Sequence, residues 1–430
     1  MHEVDFDISI KDLSKIEGHT DCEIEVRNGK VTNSKLIISE NKRFFTTAVI
    51  GKPAIMVHQI VSRICGTCSI AHLLCAIKAV EDAGKIEVSE QTKDLRDLLY
   101  YGLNIRDHAM HLYLFCLPDL FEKDSVLDFE DTGLEHELIH NAFEIKSVGN
   151  DLSNLVGGRA VHSPYPLVGG FMKIPKKEEL KKMEQRLKEI RSLALEFVEI
   201  FDEKDSNFET DAEFISLRNS NFSYLEGELY SSDGICIPKN QFTNHLEKKV
   251  IPYSQAPGFK FKGRPYVVGA LSRLNLNRDT LHKETKKSTK KYLLKFPSKN
   301  IFHNNLAQAI EIIHCIDASI EIIQKYEERQ EEKKTYKIGK SEGIGVIEAP
   351  RGTLYYHLKI DENGKIENAD LVIPTSQNQI NMDKDIGKLV QKKLDQNMDQ
   401  EKIRFEIERL IRAYDPCMSC ATHFLKVKWK

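Results

Sequence analysis

The sequence predicts a mainly helical α+β protein, with a long-helix bundle as its core and small β-sheets at its periphery. Three observations carry this. Apolar residues fall on one helical face at 180, 183, 187, 190, 194, 197 and 201. They recur in the same way at 306, 310, 313, 316, 320 and 323. Towards both ends of the chain the pattern changes to alternation around an Asn-Gly pair, the strongest short-range sign of a β-hairpin.

Taken in order, Phe6, Ile8 and Ile10 alternate with polar residues, as do Cys22, Ile24 and Val26. Asn28-Gly29 then turns the chain into residues 31–38. An N-terminal β-hairpin region is therefore expected over about 5–40. Segments 72–83, 92–117 and 400–413 suit helices, and the helical core is expected over about 72–330. Asn363-Gly364 joins 354–360 to 366–373, which places a second hairpin within about 345–375. Residues 282–291 and 328–343, rich in charge, read as solvated surface loops. No repeat or low-complexity linker interrupts the chain, so 1–430 is expected to be a single domain.

At 41% apolar and 30% charged residues, the composition is that of a globular protein. A net charge of −3 argues against a nucleic-acid partner. No apolar run reaches the roughly 18 residues that span a bilayer. Residues 1–17 are acidic and alternating, unlike a signal peptide, so the expected location is cytoplasmic, although a complex can be exported on a partner's signal. Nine cysteines in so long a chain without a leader point to metal or redox chemistry and away from a disulfide scaffold.

Four of these cysteines form two pairs. Arg63-Ile-Cys65-Gly-Thr-Cys68-Ser-Ile-Ala-His72 holds the first, and Asp415-Pro-Cys417-Met-Ser-Cys420-Ala-Thr-His423 the second. A Cys-x-x-Cys turn aims two sulfurs at one point, and thiolates select soft or borderline metals. Four of them can hold structural zinc, an iron–sulfur cluster or nickel, and from spacing alone zinc comes first. A redox dithiol needs a thioredoxin-like βαβ setting, which neither pair has.

These two motifs together closely resemble the signature pair of nickel–iron hydrogenase large subunits. The resemblance runs along nearly the whole chain: Lys15-Ile-Glu17-Gly-His19, Arg106-Asp107-His108, Gly157-Gly158-Arg159 with His162, Gly169-Gly170-Phe171, Glu348-Ala-Pro-Arg351-Gly352 and Ile373-Pro374-Thr375-Ser-Gln-Asn378 match family blocks. Arg43-Phe-Phe45, Gly269-Ala-Leu-Ser-Arg273 and Asn304-Asn-Leu-Ala-Gln308 are most similar to the cytosolic multimeric group, of the sulfhydrogenase alpha-subunit type.

The resemblance implies that all four thiolates bind nickel, Cys65 and Cys417 as terminal ligands, Cys68 and Cys420 as bridges to an iron carrying carbon monoxide and cyanide. It implies that Glu17 is the first proton acceptor, since heterolytic cleavage of dihydrogen needs a base within reach. It places the guanidinium of Arg351 over the metals, with Asp107 and Asp415 orienting it. It makes Pro374 and Thr375 contacts of a cyanide, and His72 a donor to a bridging sulfur. His423 matches a ligand of a C-terminal magnesium site. Here the sequence departs from the family: Thr46 stands where a carboxylate ligand is usual, so that site is expected to be metal-free or to hold a weakly bound cation, unless Glu40 takes over. Cysteines 22, 75, 116, 236 and 315 match no ligand; Cys75, Cys116 and Cys315 are expected in buried helical packing, and Cys236 in a loop.

The implied reaction is reversible cleavage of dihydrogen. The chain has no third cysteine cluster, so electrons must leave through an iron–sulfur small subunit, then through further iron–sulfur and flavin or NAD(P)-binding subunits to NAD(P) or polysulfide. Rivals are a deazaflavin- or heterodisulfide-linked hydrogenase, a hydrogen sensor and a zinc-binding structural or regulatory protein. A scaffold like the related quinone-site subunit of respiratory complex I is disfavoured, because that subunit lacks the four cysteines.

Overall fold

Alternation at the N-terminus produces a three-stranded antiparallel meander of β1 (Phe6–Ile10), β2 (Thr20–Arg27) and β3 (Lys30–Ile38). Asn28 and Gly29 both take positive φ, 51° and 69°, the conformation a two-residue hairpin turn requires. The structure, a computed structural model, describes residues 5–204, 206–331 and 335–422.

The helical periodicities give long helices: α1 (Ser69–Gly84), α2 (Glu90–Ala109), α3 (Gly133–Gly157) and α4 (Lys177–Lys204). Ser89 caps α2 by accepting from the Thr92 amide. The predicted helix 92–117 changes character on the way, because Met110–Cys116 winds as a π-helix before one last α turn, Leu117–Leu120. α2 and α3 touch backbone to backbone. A Cβ on Gly149 would lie 2.7 Å from the Arg106 amide, and one on Gly102 2.6 Å from Ser153 Oγ. These glycines let α3 press against the turn of α2 that carries Arg106 and Asp107.

The middle of the chain corrects the expected helical core of 72–330. Residues 213–267 hold β4 (Glu213–Arg218), β5 (Glu228–Ser231), β6 (Cys236–Ile237), β7 (Leu246–Lys249), β8 (Gly258–Phe261) and β9 (Tyr266–Val267). They form a four-stranded sheet in the order β9-β4-β5-β6 and a separate β7-β8 pair. Strands of two to six residues are too short for alternation to register. Cys236 is exposed in β6, not in a loop.

Helix α5 (Ala270–Asn277) follows, and then α6 (His303–Lys325), which packs on both α2 and α4. The Lys-rich stretch 282–291 is not the predicted loop. It contains the helices Lys283–Ser288 and Lys290–Leu293, anchored by buried Thr285, whose hydroxyl donates to Asp317 at 2.8 Å. Lysine is a good helix former, and a charge run alone does not unwind a helix. Of the predicted loop 328–343, the last three residues already belong to a strand.

The C-terminal hairpin is a three-stranded meander: β10 (Ser341–Ala349), β11 (Gly352–Ile360) and β12 (Ile366–Val372). It lies flat on α1, since a Cβ on Gly345 would stand 2.1 Å from the Cys75 carbonyl. Helix α7 (Pro374–Asp395), with proline at its start, and α8 (Gln400–Ala413), capped by Asp399, complete the bundle. One apolar cluster runs from Ile8 through α1–α8 to Cys420 and includes buried Cys75, Cys116 and Cys315. Among the described residues, no helix is long and apolar enough to cross a membrane.

Candidate metal centre

The first cysteine pair sits in the turn that enters α1. Its shape is held from outside: Arg106 of α2 donates to the Thr67 carbonyl, the Arg43 guanidinium donates to the Ile64 carbonyl at 3.1 Å, and the His162 amide donates to Ser69 Oγ at 3.1 Å. The second pair follows α8. The Asp415 backbone takes a positive φ of 48°, which turns the chain sharply into Cys417.

Two long-range contacts bring the pairs together. Glu17 and Cys417 form a parallel β-bridge, and the Met418 amide donates to the Glu17 carbonyl at 2.9 Å. The Cys417 amide donates to Thr375 Oγ1 at 2.9 Å, at the start of α7. The segment carrying Glu17 is itself pinned. Lys15 and Arg412 share the buried carboxylate of Asp119 at 2.6–3.0 Å, and Arg412 also donates to the Ser14 carbonyl.

The four sulfurs then lie within 4.8 Å of one another, all buried. Cys65 is 3.5 Å from Cys417, Cys68 3.1 Å from Cys420, and Cys417 2.7 Å from Cys420. Burial pushes the Cys417 and Cys420 thiols well above their usual range, while hydrogen bonds from Cys417, Cys420 and Cys68 hold Cys65 well below. Four thiolates this close need a cation to offset their charge, so the donor set fits a thiophilic metal.

Around the sulfurs stand the other predicted residues. Glu17 Oε2 lies 3.0 Å from Cys417 Sγ and accepts the Ser419 amide at 3.1 Å. His72 places Nε2 3.5 Å from Cys420 Sγ, and Tyr356 OH fixes its Nδ1 at 2.8 Å. Arg351 projects from the β10–β11 turn. Its Nη1 donates to Asp107 Oδ2 at 2.7 Å, and its Nη2 lies 3.0 Å from Asp415 Oδ1. These two carboxylates hold the guanidinium fully protonated against the cost of its burial.

A small cavity beside the sulfurs is walled by Cys68, Cys420, His72, Arg351, Ile373, Pro374 and Thr375. Buried Arg351 Nε and Nη2 and Asp107 Oδ1 have no hydrogen-bond partner among the described residues, although Nη2 is within ion-pair distance of Asp415. Unsatisfied donors in a cavity next to a thiolate set fit a second metal with polar ligands.

Two expectations fall elsewhere. His423 lies outside the described residues. Thr46 is half-buried on the short helix Phe45–Ala48 and lines a surface groove with Ile50, Phe259 and Asp370. Glu40 is buried near Gly18, and the backbone at 41–43 bonds to Thr422. No spacing or chemical pattern singles out Tyr356, which orients His72, or Gln308, which donates to Asp415 Oδ2 at 2.7 Å. Gln308 closes the Asn304-Asn-Leu-Ala-Gln308 run, whose likeness to the cytosolic multimeric group implies no chemical role.

The profile of the nickel-dependent hydrogenase family matches residues 43–142 and 216–423. The chain is 34% identical over 428 residues to the sulfhydrogenase 1 alpha subunit of Pyrococcus furiosus, covering 98% of each chain. It is 32% identical to the sulfhydrogenase 2 alpha subunit of the same organism, covering 98% of this chain and all of the other. Among solved structures, an NAD+-reducing nickel–iron hydrogenase in its H2-reduced state superposes with a TM-score of 0.86 at 24% identity, over 98% of this chain and 100% of that one. The nickel–iron–selenium hydrogenase of Dm. baculatum superposes at 0.77 and 22% identity, with the same coverage.

Proposed function

The chain belongs to the nickel-dependent hydrogenase family, and from that premise we propose how its residues serve the oxidation of dihydrogen to two protons and two electrons, and its reverse. It is the large, catalytic subunit of a nickel–iron hydrogenase. The observation that carries the residue assignment is the meeting of four buried sulfurs from segments 352 residues apart. Family membership replaces the zinc reading.

Cys65, Cys68, Cys417 and Cys420 would together hold the nickel and the iron, the iron bearing carbon monoxide and cyanide. When bound, the metals supply the Lewis acidity that polarises dihydrogen. The protein's part is to receive charge and exclude water. Glu17, in contact with Cys417 Sγ, takes the proton and passes it outward from its half-buried position. Arg351 offers fixed positive charge and free N–H donors to the cavity, held by Asp107 and Asp415. Pro374 and Thr375 line the same wall, and His72 hydrogen-bonds the sulfur of Cys420.

Electrons leave through an iron–sulfur small subunit. The sulfhydrogenase likeness favours onward transfer to NAD(P) or polysulfide through flavin- or NAD(P)-binding and further iron–sulfur subunits, in the cytoplasm, with 1–430 folding as one unit. At the C-terminus, the missing carboxylate at Thr46 favours a magnesium site that is vacant or weakly held. Metal analysis with infrared spectroscopy of the purified complex tests the assignment. One nickel per large subunit, iron in excess of nickel because the partner subunits carry iron–sulfur clusters, and carbon monoxide and cyanide bands are expected. Zinc alone, or nickel without those bands, overturns it.

A further inference from the structure

Behind Arg351 lies a second buried guanidinium, that of Arg273 in α5, only 1% exposed. Burying such a group is costly unless every donor is met. Here they are met in a particular way. Nε and Nη2 grip both oxygens of Glu311 at 2.7 Å each. Nη1 donates to the Ala349 carbonyl at 2.9 Å and reaches Glu348 at 3.3 Å, while Nη2 donates to the Pro350 carbonyl at 2.9 Å. The two carbonyls belong to the residues immediately before Arg351.

Glu311 also reaches the other side of the site. Its Oε2 lies 2.8 Å from His108 Nε2, and His108 follows Asp107, the partner of Arg351 Nη1. Three residues earlier on α6, Gln308 holds Asp415, the other partner. One turn before that, Asn304 donates to the Ala413 carbonyl at 3.0 Å and accepts the Leu271 amide at 2.9 Å. Positions 304, 308 and 311 share one face of α6. Directly or through Arg273, that face is thus bonded to every segment that aims Arg351: the turn it sits on, the helix of Asp107, and the end of α8 that leads to Asp415.

We propose that the Arg273–Glu311 pair is a positioning device for Arg351, fixing the height and tilt of its guanidinium over the sulfur cluster. The pair touches neither sulfur nor cavity, so it acts through the backbone of 349–350 and through His108. This rests on the reading of Arg351 given above. A planar fork is required for the role, because a lysine ammonium cannot bind two carboxylate oxygens and two carbonyls in one plane.

The test uses Arg273→Lys and Glu311→Gln in the assembled complex, with Arg351→Lys as control. Turnover per nickel in hydrogen–deuterium exchange is expected to fall about tenfold or more in both. KM for dihydrogen should stay within about twofold, since substrate access is untouched. The infrared bands should remain the same in number and shift in frequency, and the double variant should lose no more than the worse single one. Normal turnover per nickel with unshifted bands, even at a lowered unfolding temperature, would reduce the pair to a structural role and overturn the proposal. So would failure of both variants to give a folded, metal-loaded complex. If Arg351→Lys itself leaves turnover unchanged, the reading of Arg351 falls first. If that control loses turnover and the other two do not, only the positioning role falls.

Discussion

Replacing Glu17 by glutamine separates proton transfer from metal assembly. The carboxylate makes two recorded contacts, with Cys417 Sγ at 3.0 Å and with the Ser419 amide at 3.1 Å. Glutamine keeps an oxygen for the amide and the volume of the side chain, and loses the ability to take a proton. A positioned general base contributes about 10²–10⁴-fold, which corresponds to roughly 2.7–5.4 kcal/mol on the barrier. The structural loss is far smaller. One charge-assisted hydrogen bond becomes a neutral one, at a cost of about 1 kcal/mol. Glu17→Gln should therefore cut hydrogen–deuterium exchange by two orders of magnitude or more while nickel content, carbon monoxide and cyanide bands and unfolding temperature stay near those of the parent. Exchange within about twofold of the parent, at equal nickel, would refute the assignment. Loss of the infrared bands would refute the separation of the two roles.

Cys65→Ser or Cys420→Ser should abolish hydrogen uptake and reduce bound nickel, whereas Cys236→Ser, at an exposed strand position, should change neither; equal loss in all three would overturn the division of the cysteines. Thr46→Glu should raise magnesium retained after chelation and gel filtration, and no change would mean that another carboxylate, such as Glu40, already serves. Asp383 is half-buried, and burial pushes its carboxyl up to about 7 although it accepts from the Leu36 amide and Tyr253. Its folded form holds a proton that the unfolded chain has already released above about pH 4, so stability falls as pH rises from about 4 to 7 and is level beyond. Asp383→Asn should remove that slope and raise stability at pH 8 by about 2 kcal/mol, half the ceiling set by the shift because water reaches the group; an unchanged slope in pH-dependent denaturation would exclude Asp383 as its source.

What could be read in the sequence was whatever had a period or a spacing. Helices α4 and α6 followed from apolar residues every three to four positions, and the N-terminal meander from alternation and Asn28-Gly29. The cysteine pairs followed from Cys-x-x-Cys. Asp107 and Asp415 gave no such sign. Asp107, between Arg106 and His108, reads alone as a helix-face charge, and Asp415 has no periodic neighbour, so only the family motif marked them. The network of Arg273, Glu311 and Gln308 was invisible for the same reason and one more: its bonds span 38 to 203 residues, a separation that no local pattern encodes. The sheets of 213–267 were missed because their strands are shorter than the window needed to recognise them.

The bridge between Glu17 and Cys417 has a consequence for the order of events in the cell. A ribosome releases Cys65 and Cys68 long before it has made the second pair, so for most of synthesis only half of the ligand set exists. In an unfolded chain, drawing together sulfurs 352 residues apart costs on the order of 5 kcal/mol in closure entropy. In the folded chain the packed bundle offsets that cost, and residues 415–420 lie beside Glu17 as a latch. Metal delivered to the nascent chain would find two sulfurs and an open wall. Metal delivered after the latch has closed must pass a cluster with every sulfur buried. The seating of residues 415–420 is therefore the step that turns two half-sites into one enclosed ligand set.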